Sequence, residues 1–400
     1  MTMEELLKIF LLVLTFSVPL FGLTYSDTKF NVIQFGAVGN GRTDDTNAFS
    51  QAWEATCKSS STSSTMEVPS GKTFLINPLY FDGPCNNKII NVEINGNIIG
   101  PSEPSEWRCN NNACDNWMDF RYVDNLSIIG HGVINGHGGK WWSTTKLDSR
   151  PNALKISSAN NVTLRGLTFK DVPHMHVVLD TLSSVSVSNI TIDSPGDSPN
   201  TDGIHIAGST NVVLDHCRIG TGDDCISIVT GSSHLKISNI ICGPGHGISI
   251  GSLGKYGSHD TVEYVEVSDV VFIGTMNGAR IKTWQGGSGY ARNMIFERIY
   301  SQEASRIINV DQFYCDHMDC FTHDTALKIS NITFREILGT SSNQPAVNLA
   351  CSASVPCTDI VLDSIFLRQN NNKRASVACN NAYGRAQGMK IPRIACLNQI

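Results

Sequence analysis

Three short segments repeat one arrangement, a polar residue two positions ahead of an Ile-x-Ile run. They read Asp202-Gly-Ile-His-Ile206, Asp224-Cys-Ile-Ser-Ile228 and His246-Gly-Ile-Ser-Ile250, set 22 residues apart each time. Asp223 directly precedes Asp224, so its side chain leaves the backbone in another direction. Further on stands Arg280-Ile-Lys282. Carboxylates crowded together do not all ionise alike; one is pushed to hold a proton while another stays a base. Hydrolysis of a glycosidic link needs such a pair, an acid for the leaving oxygen and a base for water. Arg280 and Lys282 would hold acidic groups of the substrate, Arg by bidentate contact. The set is self-consistent for hydrolysing an acidic sugar polymer, provided the segments lie side by side. Taken singly, each Asp is equally a turn residue; their shared register is what argues for a site.

A longer repeat supplies that juxtaposition. The pattern apolar-x-apolar-x-x-apolar-x-apolar begins at Val162, Val185, Val212, Leu235, Val265, Met294, Leu327 and Ile360, and of its apolar slots only Ser301 is polar. Each block alternates with period two, skips a position and alternates again, which reads as two short strands with a bend between. The second bend position is Asn189, Asn239, Asn331, Asp269 or Gly166 in five copies, residues that tolerate a left-handed bend. No helical pattern of useful length separates the blocks, which disfavours a doubly wound α/β fold. A propeller would need longer, antiparallel units. The reading is all-β: a single-stranded right-handed parallel β-helix whose coils rise about 4.8 Å each and bury their aliphatic faces only by stacking. In that register Asp202, Asp224 and His246 form one column.

A solenoid needs caps. Residues 43–57 are the best helix candidate, with Ala48, Phe49, Ala52 and Trp53 on one apolar face and Asp44 and Asp45 at the N-terminal end; this is the expected N-terminal cap. The Cys-bearing tail from Cys351 is expected to close the other end. Residues 9–23 are apolar but broken by Pro19, with Lys8 ahead, so residues 1–26 read as a signal peptide cleaved after Ser26, with Glu4 and Glu5 atypically acidic. Residues 27–400 form the catalytic domain. The chain has 13 Cys, several in close pairs suited to disulfides of a secreted protein. Local pairs are Cys109–Cys114, Cys315–Cys320, Cys351–Cys357 and Cys379–Cys396, with Cys57–Cys85 near the N-terminus, and Cys217, in an inward slot, is left as the free thiol. Sequons at Asn125, Asn161, Asn189 and Asn331 fit the same route. The net charge of −6 points to no nucleic-acid partner. No membrane span, metal or cofactor is expected, and a self-sufficient solenoid of this length is expected to be a monomer.

Asn200-Thr-Asp-Gly203, Gly222-Asp-Asp224, Gly245-His-Gly247 and Arg280-Ile-Lys282 occur in that order. Together they resemble the four signature segments of the polygalacturonases, glycoside hydrolase family 28. Asp311-Gln-Phe-Tyr-Cys315 resembles a further family segment, as does Phe35-Gly-Ala-Val-Gly-Asn-Gly-Arg-Thr-Asp-Asp45, and the likeness covers roughly residues 29–396. It implies an inverting hydrolase of α-1,4-galacturonosyl links in pectin, acting on polygalacturonate in the extracellular cell wall. It implies Asp223 as general acid, Asp202 and Asp224 as the pair that activates water, and His246 as the residue that tunes the acid. Arg280, Lys282 and Tyr314 become substrate binders, and Cys225 pairs with Cys242.

Other readings lie close by. An exo-acting galacturonase, or a rhamnogalacturonan or xylogalacturonan hydrolase, would use the same solenoid. A calcium-dependent lyase would need carboxylates grouped as oxygen ligands and an Arg base, which the Asp-Asp and Gly-His-Gly segments argue against. A non-catalytic wall-binding β-helix is the alternative of another class. His174, His176, His205, Trp141 and Trp142 read as structural or loop residues.

Overall fold

The computed structural model describes residues 27–397 apart from 110–113, 145–146, 317–319, 321 and 372. The signal peptide expected over residues 1–26 lies outside the described residues. Pairing between coils is parallel, from Asp27–Asn31 against Ser63–Val68 at one end to Cys357–Gln369 against Ala382–Ile391 at the other. The chain returns to the same face one coil later, and such parallel crossovers take the right-handed sense. The product is the expected single-stranded right-handed parallel β-helix. Its coils form three faces, two joined at a bend and a third that carries the Ile-x-Ile strands.

The column Val162, Val185, Val212, Leu235, Val265, Met294 runs up one face as successive partners. After the bend, Cys217, Ile240, Val270 and Ile299 form a second column. All are buried, so each coil's apolar side chains are covered by the coils above and below. The bends are left-handed turns: Asn161, Asn211, Asn293 and Asn331 precede the blocks at positive φ, and Asn189, Asn239 and Asp269 divide them. His216, Arg298 and Glu336 take the same conformation, against their own preference; the ladders on either side impose it. The sequon residues Asn125, Asn161, Asn189 and Asn331 are all exposed at such turns.

One block is displaced from its expected place. Met294 pairs with Ile332 and Phe296 with Phe334, so the seventh copy begins at Ile332 and ends at Gly339, and does not run from Leu327 to Phe334. Leu327 and Ile329 lie ahead of the first bend, where Asn331 donates to the Asn293 side chain at 2.8 Å. Asn331 is therefore a first-bend residue, and Glu336 holds the second. Alternating residues flank both bends here, which made two frames look alike. Gly339 masked the true one by standing where an apolar residue was expected. A Cβ there would lie 2.0 Å from the Ser301 carbonyl oxygen, at a φ of +129°.

Helix α1 (Thr46–Lys58) caps the N-terminal end, burying Ala48, Phe49, Ala52 and Trp53. Trp53 meets the rings of Phe81 and Phe120 edge-on at 5.4 Å each. The helix starts later than expected because Asn40–Asp44 is a strand. Asp44 accepts from the Thr46 amide at 3.0 Å, while Asp45 turns away to the amides of Val38 and Gly39. At the other end the tail from Cys351 is not a separate plug; it continues the coils through Ile391. Disulfides join Cys57–Cys85, Cys109–Cys114, Cys225–Cys242, Cys315–Cys320, Cys351–Cys357 and Cys379–Cys396. Cys217 is free and buried, its thiol pushed up to about 11 by burial. No helix among the described residues is long and apolar enough to cross a membrane.

Candidate active site

Five stacked strands make the floor: β1 (Ile204–Ala207), β2 (Ile226–Ile228), β3 (Ile248–Leu253), β4 (Asn277–Thr283) and β5 (Arg306–Asp311). Ile204, Ile226, Ile248, Ala279 and Ile308 are successive partners. The isoleucines point inward and anchor the register, so Asp202, Asp224 and His246 arrive at the same edge from consecutive coils. Glycine permits this stacking. A Cβ on Gly247 would lie 2.3 Å from the Asn277 carbonyl oxygen, and φ there is +99°.

Side-chain pairing crosses the column. Asp223, which takes the Asp224 backbone amide on Oδ1 at 2.8 Å, accepts from Asn200 Nδ2 at 3.3 Å and pairs with His246 Nδ1 at 2.9 Å. Asp224, only 1% exposed, accepts from Lys282 Nζ at 2.8 Å and from Ser249 Oγ at 2.6 Å. Asp202 accepts from Ser227 Oγ at 2.6 Å. All three carboxylates line one groove of about 700 Å³ together with His246, Arg280, Lys282 and Tyr314, so every expected site residue is brought to it. The Tyr314 ring lies 5.1 Å from the Arg280 guanidinium and 5.3 Å from Lys282 Nζ, cation–π distances. Arg280 is 8% exposed, its Nε meets no acceptor, and among the described residues no carboxylate pairs with it.

The electrostatics separate Asp202 from Asp223. Burial pushes the Asp202 carboxyl above the usual carboxylate range, and the charges of Asp223 and Asp224 add to it. Burial acts upward on Asp223 as well, but the His246 hydrogen bond and charge outweigh it and leave this carboxyl below its usual range. His246 is the converse: burial disfavours its charged form, yet Asp223 holds the ring above its ordinary value. Lys282 is likewise desolvated, and Asp224 keeps its ammonium firmly charged.

Asp223, Asp224 and His246 offer donor atoms within 4.8 Å of one another. Asp223 is paired with His246, and Asp224 with Lys282 and Ser249.

Sequence reasoning missed Ser227 and Ser249, which lay inside the recognised segments, and left His205 as structural although its Nδ1 is 2.8 Å from Ser227 Oγ. The available signal was alternation: one position after an inward Ile, each side chain points to the outer side of its strand, where the acids lie. Trp141 is buried edge-on against Trp107 at 5.5 Å, a packing role as expected. His176 is fully buried.

A parallel β-helix whose outer face gathers acids, a histidine and an arginine in one groove presents the groups that glycoside hydrolysis needs. The profile of glycosyl hydrolases family 28 matches residues 57–388, and the chain belongs to that family. It is 43% identical over 390 residues to a probable polygalacturonase of Arabidopsis thaliana, covering 96% of this chain and 84% of that one. It is 42% identical over 373 residues to a polygalacturonase of Malus domestica, covering 91% and 78%. In fold it is similar to the polygalacturonase of Erwinia carotovora, with a TM-score of 0.74 at 19% identity over 90% of this chain and 96% of the other. The endo-xylogalacturonan hydrolase of Aspergillus tubingensis gives 0.75 at 22% identity over 93% and 98%.

Proposed function

We propose that the chain is a polygalacturonase that hydrolyses α-1,4-galacturonosyl links of de-esterified pectin in the extracellular cell wall, acting as a monomer. The observation that carries this reading is the buried Arg280 guanidinium, with no carboxylate partner among the described residues, beside Asp223 and Asp224, which are paired with His246 and Lys282. A desolvated cation of this kind is costly unless an anion meets it, and a galacturonate carboxylate supplies one.

In this reading Asp223 and His246 act as one unit that binds a single shared proton. The proton rests on the ring in the free groove and passes to Asp223, and so to the leaving oxygen, when the sugar is bound. Asp202 and Asp224 orient and deprotonate the attacking water on the other side of the bond, and the family likeness makes the outcome inverting. Lys282 fixes Asp224, and Tyr314 stacks over the cations that hold the substrate.

A second reading exchanges acid and base, and the upward displacement of Asp202 favours it. Leaving-group chemistry separates the two. Asp223→Asn should abolish release of reducing ends from polygalacturonate with the fold intact. It should retain turnover on an aryl galacturonide, whose leaving group needs no proton. Rescue of Asp202→Asn instead would exchange the roles, and full activity of Asp223→Asn on the polymer would refute the acid assignment.

A further inference from the structure

Ser227 and Ser249 occupy on β2 and β3 the register position that His205 holds on β1 and Arg280 on β4. Both serines are buried, and each sends its hydroxyl to an acid at the edge of the groove, Ser227 to Asp202 and Ser249 to Asp224. A hydroxyl has one proton to give. With that proton on Asp202, Ser227 Oγ can only accept from His205 Nδ1, 2.8 Å away. The imidazole must then carry a proton on Nδ1 and turn Nε2 elsewhere.

The three acids differ in what stands behind them. Asp223 has His246 and Asp224 has Lys282 as direct partners. Asp202 is 8% exposed, and among the described residues no Lys or Arg pairs with it; the nearest basic nitrogen is His205 Nδ1 at 3.8 Å, reached through Ser227.

We propose that His205, acting through Ser227, is a positioning residue that holds Asp202 ionised and aimed at the water it activates. The proposal rests on Asp202 being the base.

The charged surroundings agree. On the preceding coil Asp180, ion-paired to Lys155 at 2.8 Å, interacts with His205. On the next coil Asp223 and Asp224 add to the burial that favours a protonated Asp202, and the nearby His205 ring opposes them. Beyond them lie the cations His246, Arg280 and Lys282, while Arg150 and His174 line the groove wall. Beneath, His176 is pushed down to about 4 by burial, so it stays neutral at working pH. Its Nδ1 lies 2.9 Å from the Asp202 carbonyl oxygen and touches only the backbone of that residue.

The test is the pH profile of kcat/KM on polygalacturonate for Ser227→Ala, His205→Ala, the double variant and His205→Asn, whose amide N–H can replace that of Nδ1. Losing the relay should move the acid limb to higher pH and lower kcat at acidic pH about tenfold, the scale of one hydrogen bond to a charged group, with KM little changed. The double variant should be no worse than either single one, and His205→Asn should recover most of the loss. Single variants with unmoved acid limbs, limbs moving to lower pH, or fully additive losses would overturn the relay. Asp202→Asn keeps the two failures apart: if that variant is active on the polymer, the base assignment falls and takes the proposal with it. If it is inactive while the relay variants keep the normal profile, the relay alone is wrong.

Discussion

Replacing Lys282 by Met tests whether the buried Asp224–Lys282 pair is a structural commitment of the groove. The pair is 2.8 Å long, with side chains 10% and 1% exposed. At an effective dielectric near ~20 its attraction is about 6 kcal/mol, much of which offsets the desolvation of two ions. Removing one partner leaves Asp224 with Ser249 as its remaining hydrogen-bond donor, and a stranded buried charge costs about 3–5 kcal/mol. At about 2 °C per kcal/mol, the low end appropriate to a chain of this size, Lys282→Met should lower the thermal midpoint at pH 7 by about 6–10 °C. Adding Asp224→Asn should recover most of that loss, because the double variant buries no charge. Differential scanning calorimetry of wild type, both single variants and the double variant gives the coupling directly. A Lys282→Met midpoint within 2 °C of wild type, or a double variant no more stable than the singles, would refute this account of the pair.

Two further outcomes follow from the site. Arg280→Met should raise KM for polygalacturonate strongly while leaving the thermal midpoint unchanged or higher, because the guanidinium is buried with no carboxylate partner among the described residues; a marked drop in midpoint would show an unrecognised structural role. His246→Gln should destabilise most in mildly acidic solution. Stability tied to the raised ring is complete below its ordinary 6.5 and fades as pH climbs through the folded value. Stability tied to the depressed Asp223 carboxyl is complete above 3.8 and fades as pH falls through its folded value. The gap between wild type and variant should therefore peak between those limits at about 1.5–3 kcal/mol and close in alkaline solution; a gap independent of pH would contradict the pairing.

Much of this could be read from residues alone because a solenoid turns sequence spacing into vertical distance. The 22-residue steps from Asp202 to Asp224 to His246 became consecutive rungs, and the inward Ile-x-Ile pairs carried that information. Partner choice was not legible. Backbone register aligns His246 with Asp224, yet the ring reaches back to Asp223, since Lys282 already occupies Asp224 from two coils on. The earliest coils were also hidden. Ile90, Val92 and Ile94 alternate correctly, but Asn95 and Gly96 stretch the bend before Ile98. At Leu327 the sequence offered two frames, and only the pairing of Met294 with Ile332 decides between them.

Coil length varies while the floor does not. Val162 and Val185 are partners 23 residues apart, whereas Met294 and Ile332 are partners 38 apart, and both steps climb a single rung. Extra chain is discharged sideways at the rim and never lifts one rung off the next. A lineage can therefore lengthen or rebuild the walls, and so alter which decorations on the polymer are admitted, without re-solving the placement of a single proton-bearing atom beneath them.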